Sequence, residues 1–190
     1  MRGGKYFVML LCFAFLFPCS SFSQGIGSIP FASAAPIKVS FPVPGSIILF
    51  FNSPRCESCN QGLEVYALTP NGNMFERIYI GVLDTDGDPP DVESIFLENI
   101  GEKSKGDLFL LVSWKSGHLG AGIYTKNYAV YVFSREQDGK KGLKRLVDIE
   151  NKIGQTSEGS VEGENGRPEK VSAKYKNAGD VRKILRGLGY

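Results

Sequence analysis

Apolar positions along this chain recur mostly with a period of two. Residues 46–52, SIILFFN, form a short apolar run with the β-branched pair Ile47 and Ile48, and predict a buried strand. Two alternating segments then flank Pro70-Asn71-Gly72-Asn73, a sequence rich in turn formers. They predict a β-hairpin over 63–68 and 75–82. Residues 84–91, DTDGDPPD, carry two prolines and a glycine and predict irregular chain. Further strands are expected over 92–99, over 108–114 and over 124–133. The run LFLLVSW at 108–114 is the most apolar and therefore the most central of these. SGHLGAG, residues 116–122, reads as a flexible link. Residues 138–142 read as a turn leading into 143–149.

The period changes only near the end. Residues 155–167 are polar and glycine-rich and predict a mobile loop. Asn177 then offers an N-cap, with Asp180 in the acidic first turn. Val181, Ile184, Leu185 and Leu188 make one apolar helical face, Arg182, Lys183 and Arg186 sit toward the negative end of the helix dipole, and Gly187 and Gly189 stop the helix. Consecutive strands followed by one helix argue for an α+β fold: a mainly antiparallel β-sheet with a C-terminal helix packed on one face.

The other distinct pattern lies at the start. Arg2 and Lys5 precede an apolar run from Phe7 to Phe17, followed by Pro18 and small residues. This is the three-part pattern of a secretory signal peptide, with cleavage expected after Ser23. Ala32 and Ala34 also satisfy the small-x-small rule, farther from the run. The alternative is a lipoprotein acylated at Cys19. The run is shorter than the roughly 20 residues of a membrane span, and no later stretch is longer, so no stable membrane span is expected. The predicted organisation is a signal peptide over 1–23, a flexible Gly/Ser/Ala/Pro-rich leader over 24–45, and a single α+β domain over 46–190. The expected location is the periplasm or the exterior of the cell.

Cleavage changes the charge and the cysteine count. Loss of Arg2 and Lys5 brings the 22 Lys and Arg level with the 20 Asp and Glu, so no basic field favours nucleic acid. Cys12 and Cys19 leave as well, and Cys56-Glu57-Ser58-Cys59 remains. In an oxidising compartment this pair is expected as a Cys56–Cys59 disulfide. A strand followed by C-x-x-C resembles the thioredoxin-like fold over about 47–62. That resemblance implies an alternative, a thiol-disulfide oxidoreductase with Cys56 as nucleophile and Cys59 as resolving thiol. The segment after Cys59 is a poor helix former, which favours the structural disulfide.

Metal and hydrolytic chemistry are sparsely supported. Asp84, Asp86 and Asp88, with Asp91 and Glu93 beyond, alternate in a way that wraps a hard cation. The D-x-D-x-D core resembles EF-hand calcium loops, but Pro89 replaces the turn glycine and Ile95 replaces the bidentate glutamate. A solvated turn is the simpler reading. His118 is the only histidine, which excludes multi-histidine metal sites, and with one cysteine pair it leaves a four-ligand zinc site incomplete. Ser116 lies near His118, but no G-x-S-x-G elbow accompanies it. There is no phosphate loop or dinucleotide fingerprint, and no cofactor is expected. Trp114 reads as core. Tyr124, Tyr128 and Tyr131, if exposed, would suit recognition. Lys140, Lys141, Lys144 and Arg145 read as a solvated hairpin tip.

DGDPPDVESIF at 86–96, LFLLVSW at 108–114, YAVYVF at 128–133 and the ending VRKILRGLGY together resemble a group of small exported bacterial proteins of undetermined function. The resemblance runs from Glu64 to Tyr190. It implies export and a shared domain and no particular reaction, and the C-x-x-C lies outside it. The sequence therefore predicts an exported binding or interaction protein without catalytic activity, its partner an envelope or extracellular protein.

Overall fold

The structure, a computed structural model, describes residues 34–52, 62–84, 88–100, 106–118, 123–135, 143–162 and 165–190. The architecture is broadly α+β: two antiparallel sheets and two short helices, one of them C-terminal. The first sheet has the order β1 (Ile37–Val39), β2 (Ser46–Asn52), β3 (Leu63–Asn71), β4 (Met74–Leu83). The second contains β5 (Asp91–Glu98), β6 (Asp107–His118), β7 (Ile123–Arg135), β9 (Thr156–Glu162) and β10 (Pro168–Val171), in the order β10-β9-β7-β6-β5. The short β8 (Leu143–Arg145) also pairs with β7. Helix α1 is Val147–Ile153 and α2 is Ala178–Gly187.

Strand β2 has the predicted bounds, and the hairpin is where the turn residues place it. Its strands run on through Pro70 and Asn71, leaving Gly72 and Asn73 as a two-residue loop. Gly72 has φ +60° while among the described residues no non-glycine residue has positive φ, so the first central residue alone carries the left-handed conformation, as in a type II′ turn. The C-terminal helix is capped as expected: the Asn177 Oδ1 accepts the Asp180 N–H at 3.0 Å. Val181 and Leu185 are buried, but Leu188 is exposed. It caps the helix rather than extending its apolar face.

Side-chain alternation on β6 sorts the interior into two clusters. Leu108, Leu110, Val112 and Trp114 join Ile48, Phe50, Leu63, Val65 and Leu83 of the first sheet, so this core lies between the sheets. Phe109 and Leu111, pointing the other way, join Val130 and Val132 of β7, Ile149 and Ile153 of α1, Tyr175, and Val181 and Leu185 of α2. The buried Tyr175 hydroxyl shares its single hydrogen between the Gly154 carbonyl at 2.5 Å and the Tyr128 carbonyl at 3.2 Å, tying the second core to the strand edge.

Several expectations are corrected. Residues 37–39, expected in the flexible leader, form β1 against β2, and Phe41 is fully buried in the inter-sheet core. Ser116, Gly117 and His118, expected in a link, continue β6 and pair with Thr125, Tyr124 and Ile123. The segment 143–149 divides: β8 ends at Arg145 and α1 begins at Val147. The i, i+4 pair Ile149 and Ile153 reaches the second core from there. The polar stretch expected as a mobile loop contains β9, which pairs with β7 from Tyr124↔Ser160 to Tyr128↔Thr156. An unpaired strand edge accepts backbone partners whatever their side chains, so polarity alone did not decide this segment. Gly159 is required there, because it has φ +122° and a Cβ would collide with the Tyr124 carbonyl oxygen.

Candidate functional site: an aromatic sheet face and an edge cavity

The predicted sites fall partly outside the described residues. The signal peptide, Cys19, Cys56, Cys59, Asp86, Lys140 and Lys141 all lie there. Asp84 and Asp88 are both exposed. The Asp84 carbonyl accepts the Tyr131 hydroxyl at 2.6 Å, and the Asp88 N–H donates to the Lys115 carbonyl at 3.3 Å. Glu93 is engaged within the protein: it accepts from Ser113 Oγ at 2.6 Å and from Lys126 Nζ at 2.7 Å. Burial pushes its carboxyl upward, but these two hydrogen bonds and the Lys126 charge outweigh that and hold it below its ordinary range. Among the described residues no group of three or more metal-ligating side chains converges.

Ser116 belongs to a hydroxyl–amide network. Its Oγ lies 2.8 Å from Thr125 Oγ1 and accepts from Asn127 Nδ2 at 2.7 Å, while Ser157 donates to Asn127 Oδ1. Trp114 is core, as expected. Of the three tyrosines after it, Tyr128 and Tyr131 are buried and only Tyr124 is exposed, so they form no recognition cluster. Lys144 and Arg145 are both exposed, as expected, but Arg145 is also engaged within the protein. It grips Glu150 through Nε and Nη2 at 2.8–3.0 Å and lies 4.6 Å from the Tyr131 ring centre.

The exposed aromatic cluster lies on the first sheet. Ile47, Leu49 and Phe51 of β2, Glu64, Tyr66 and Leu68 of β3, and Phe75, Arg77 and Tyr79 of β4 share its outer face, opposite the inter-sheet core. Phe51 meets Tyr66 edge-on at 5.8 Å between ring centres, and Tyr66 meets Tyr79 at 5.3 Å. The Arg77 guanidinium lies 5.2 Å from the Tyr66 ring centre, and the Tyr66 hydroxyl donates to Glu64 Oε2 at 2.9 Å. A β-bulge at Val65/Tyr66 sets this face. It leaves Ile80 unpaired in the ladder and buried, so Tyr79 stays outward while Ile78, Ile80 and Leu83 serve the core. Phe75 is 56% and Tyr79 54% exposed, unusual for aromatics on a sheet, and Met74 stands exposed at the hairpin tip.

Both phenols are held protonated. The Tyr66 hydroxyl is raised first by its hydrogen bond to Glu64 and then by burial. Tyr79 is raised first by burial and then by the charges of Glu64 and Asp84. The face thus presents neutral hydroxyls, one guanidinium and one carboxylate on an apolar ground.

The signal for this face was in the sequence. In SIILFFN and LEVYALTP the apolar residues occupy both parities. A strand apolar on both faces reads as buried on both, and here one of those faces has no cover among the described residues.

The second feature is a cavity of about 290 Å³ at the edge of the second sheet. Val130, Tyr131, Arg145, Val147, Glu150 and Gln155 are among its walls. It exists because β7 loses its partner between β9, which pairs up to Tyr128, and β8, which pairs from Phe133. In that gap Glu150 Oε1 accepts the Val132 N–H at 2.9 Å, and the Leu146 N–H donates to the Val132 carbonyl at 2.8 Å. Among the described residues no helix is long and apolar enough to cross a membrane. Comparison with protein families, with curated proteins and with solved structures finds no match to this chain.

Proposed function

We propose that this chain is an exported binding protein without catalytic activity or cofactor, and that it recognises a protein partner through the outer face of the first sheet. The observation that supports this most directly is the Phe51–Tyr66–Tyr79 cluster, ordered by Arg77 and Glu64 on a face without cover among the described residues. Tyrosine, phenylalanine, methionine and arginine are the residue types enriched at protein interfaces and at their energetic centres. The face carries both charge signs, Glu64 and Arg77, and so lacks the one-signed field that nucleic acid or an anionic membrane would require. Ring contacts formed in advance reduce the ordering cost of association. In the same proposal α1 and α2 form the layer that closes the far face of the second sheet, leaving the first sheet as the free surface.

The test is site-specific photocrosslinking in the producing cell. A benzophenone side chain at position 79 or 51 should give a discrete adduct with one envelope or extracellular protein, and at the exposed Lys144 it should give none. The double variant Tyr66→Ser, Tyr79→Ser should abolish co-purification of that protein while its unfolding free energy changes by less than about 1 kcal/mol, as for surface positions. Absence of an adduct at both 79 and 51 overturns the reading.

Export, with cleavage after Ser23 and the Cys56–Cys59 disulfide, belongs to the same proposal and to the resemblance with small exported bacterial proteins. An intact mass of the secreted or periplasmic chain should correspond to Gln24 as first residue, less the two hydrogens of a closed disulfide. A diacylated or membrane-retained chain beginning at Cys19 would mean the lipoprotein route instead. A disulfide potential below about −300 mV marks a structural bond. A more oxidising potential together with reductase activity would assign thiol–disulfide exchange in place of binding.

A further inference from the structure

The backbone of β7 alternates its hydrogen-bonding direction. Val132 directs its N–H and carbonyl away from β6, toward Glu150 and Leu146, and Tyr128 directs its carbonyl the same way, to Tyr175. Val130 lies between them in a continuous register with β6, so its N–H and carbonyl face the same edge. Neither β8 nor β9 reaches it: the register of β9 would place Gly154 opposite, but there the chain turns into α1, with the Gly154 carbonyl taken by Tyr175. Val130 is 5% exposed and lines the 290 Å³ cavity, and among the described residues nothing pairs with its backbone groups on this edge.

Backbone N–H and C=O groups of a strand edge bond to protein or to water, and here they stand side by side as a donor and an acceptor facing the cavity. The cavity is close to the roughly 300 Å³ at which small-ligand sites begin. Its walls set the chemistry. The Glu150 carboxylate is consumed by Arg145 and the Val132 N–H, so the wall is a neutralised ion pair that offers no charge to a charged ligand. Ala129, Tyr131 and Val147 supply apolar surface.

We infer that the notch binds a neutral amide, whose carbonyl accepts the Val130 N–H while its own N–H donates to the Val130 carbonyl, with a short apolar group against Val147. A free small carboxamide and one residue of an extended peptide both present this edge. The site is independent of the aromatic face.

The experiment is an amide-resolved NMR titration of the full folded chain with two probes, propionamide and N-acetyl-trialanine amide. One or both should shift the Val130 and Gln155 amide signals saturably, and at saturation the Val130 N–H should exchange with solvent at least tenfold more slowly. A response to the peptide alone identifies a peptide ligand, and a response to propionamide alone a small amide. N,N-dimethylpropionamide, which lacks the donor, should bind at least fivefold more weakly than propionamide or leave the signals unmoved. Val147→Trp, at a half-exposed position on the cavity wall, should abolish the response while the remaining spectrum is retained. Absence of a saturable shift with both probes, equal binding of the dimethyl compound, or a response that survives Val147→Trp would each overturn the inference.

Discussion

Leu108 and Phe109 are neighbours on β6 and both are fully buried, one in each core. Phe50 and Phe51 are neighbours on β2 and part company: Phe50 is fully buried between the sheets, and Phe51 stands half-buried on the outer face beside Tyr66. The strands are similarly apolar in composition. What differs is the supply of covering elements, since Ile149, Ile153, Val181 and Leu185 reach the second core and the outer face of the first sheet has no counterpart among the described residues. In the second sheet the covering residues come from this chain, and in the first sheet the proposal assigns that role to a partner.

The widest test of this contrast is to truncate one aromatic from each sheet. Phe109→Ala should lose about 3–5 kcal/mol of unfolding free energy in a denaturant titration, the usual range for an emptied core site. Tyr79→Ser should lose less than about 1 kcal/mol. Comparable losses would mean that the outer face is covered in the folded protein and is not free for a partner.

A smaller effect is expected at Tyr175. Tyr175→Phe leaves the Tyr128 and Gly154 carbonyls without their phenol donor and should cost about 1–3 kcal/mol. Burial raises the Tyr175 hydroxyl well above its ordinary value of about 10. Its contribution is therefore intact below the unfolded-state value and is lost as pH rises through and beyond it. Wild-type stability should fall on going from neutral pH to pH 11, and Tyr175→Phe should show a shallower fall. Equal slopes would show that the phenol does not titrate on unfolding.

The smallest effect belongs to the polar end of the second sheet. Glu93 is held below its ordinary range, so its contribution is present above about pH 4.3 and is lost as pH falls through the folded value. Its partner Lys126 is raised, first by the hydrogen bond to Glu93, so that contribution is present below about pH 10.4 and fades above it. Because the pair is partly exposed, Glu93→Gln should cost under about 1 kcal/mol at pH 7 and nothing at pH 2. A cost unchanged between the two pH values would assign the effect to packing instead of charge.

Legibility followed the range of the interactions. Strand β2, the β3–β4 turn and the Asn177 cap rest on local preferences, and each was readable from a few adjacent residues. Strand β9 was not readable, because EGSVE carries no apolar period and its strand conformation comes from the free edge of β7. Helix α1 is only seven residues long and has no side-chain cap, so what marks it is the placement of Ile149 and Ile153 against the second core. Of the candidate site, the apolar run of β2 reads as burial and the alternation of β3 as a hairpin strand, so neither points to an exposed cluster. Of the tyrosines singled out, Tyr128 and Tyr131 are core, and Tyr124 is exposed on the second sheet, apart from the cluster.

Alternation, turn chemistry and capping act within a few residues, so the class of fold, the mainly antiparallel strands and the capped C-terminal helix are already legible in the amino-acid order. Which apolar faces find cover within the described residues, where the β7 ladder is interrupted, and which tyrosines meet solvent emerge only once the chain is folded. Those outcomes depend on which distant segment arrives at a given face or edge, and an isolated strand carries the same residues whether a helix, a second sheet or a partner covers it.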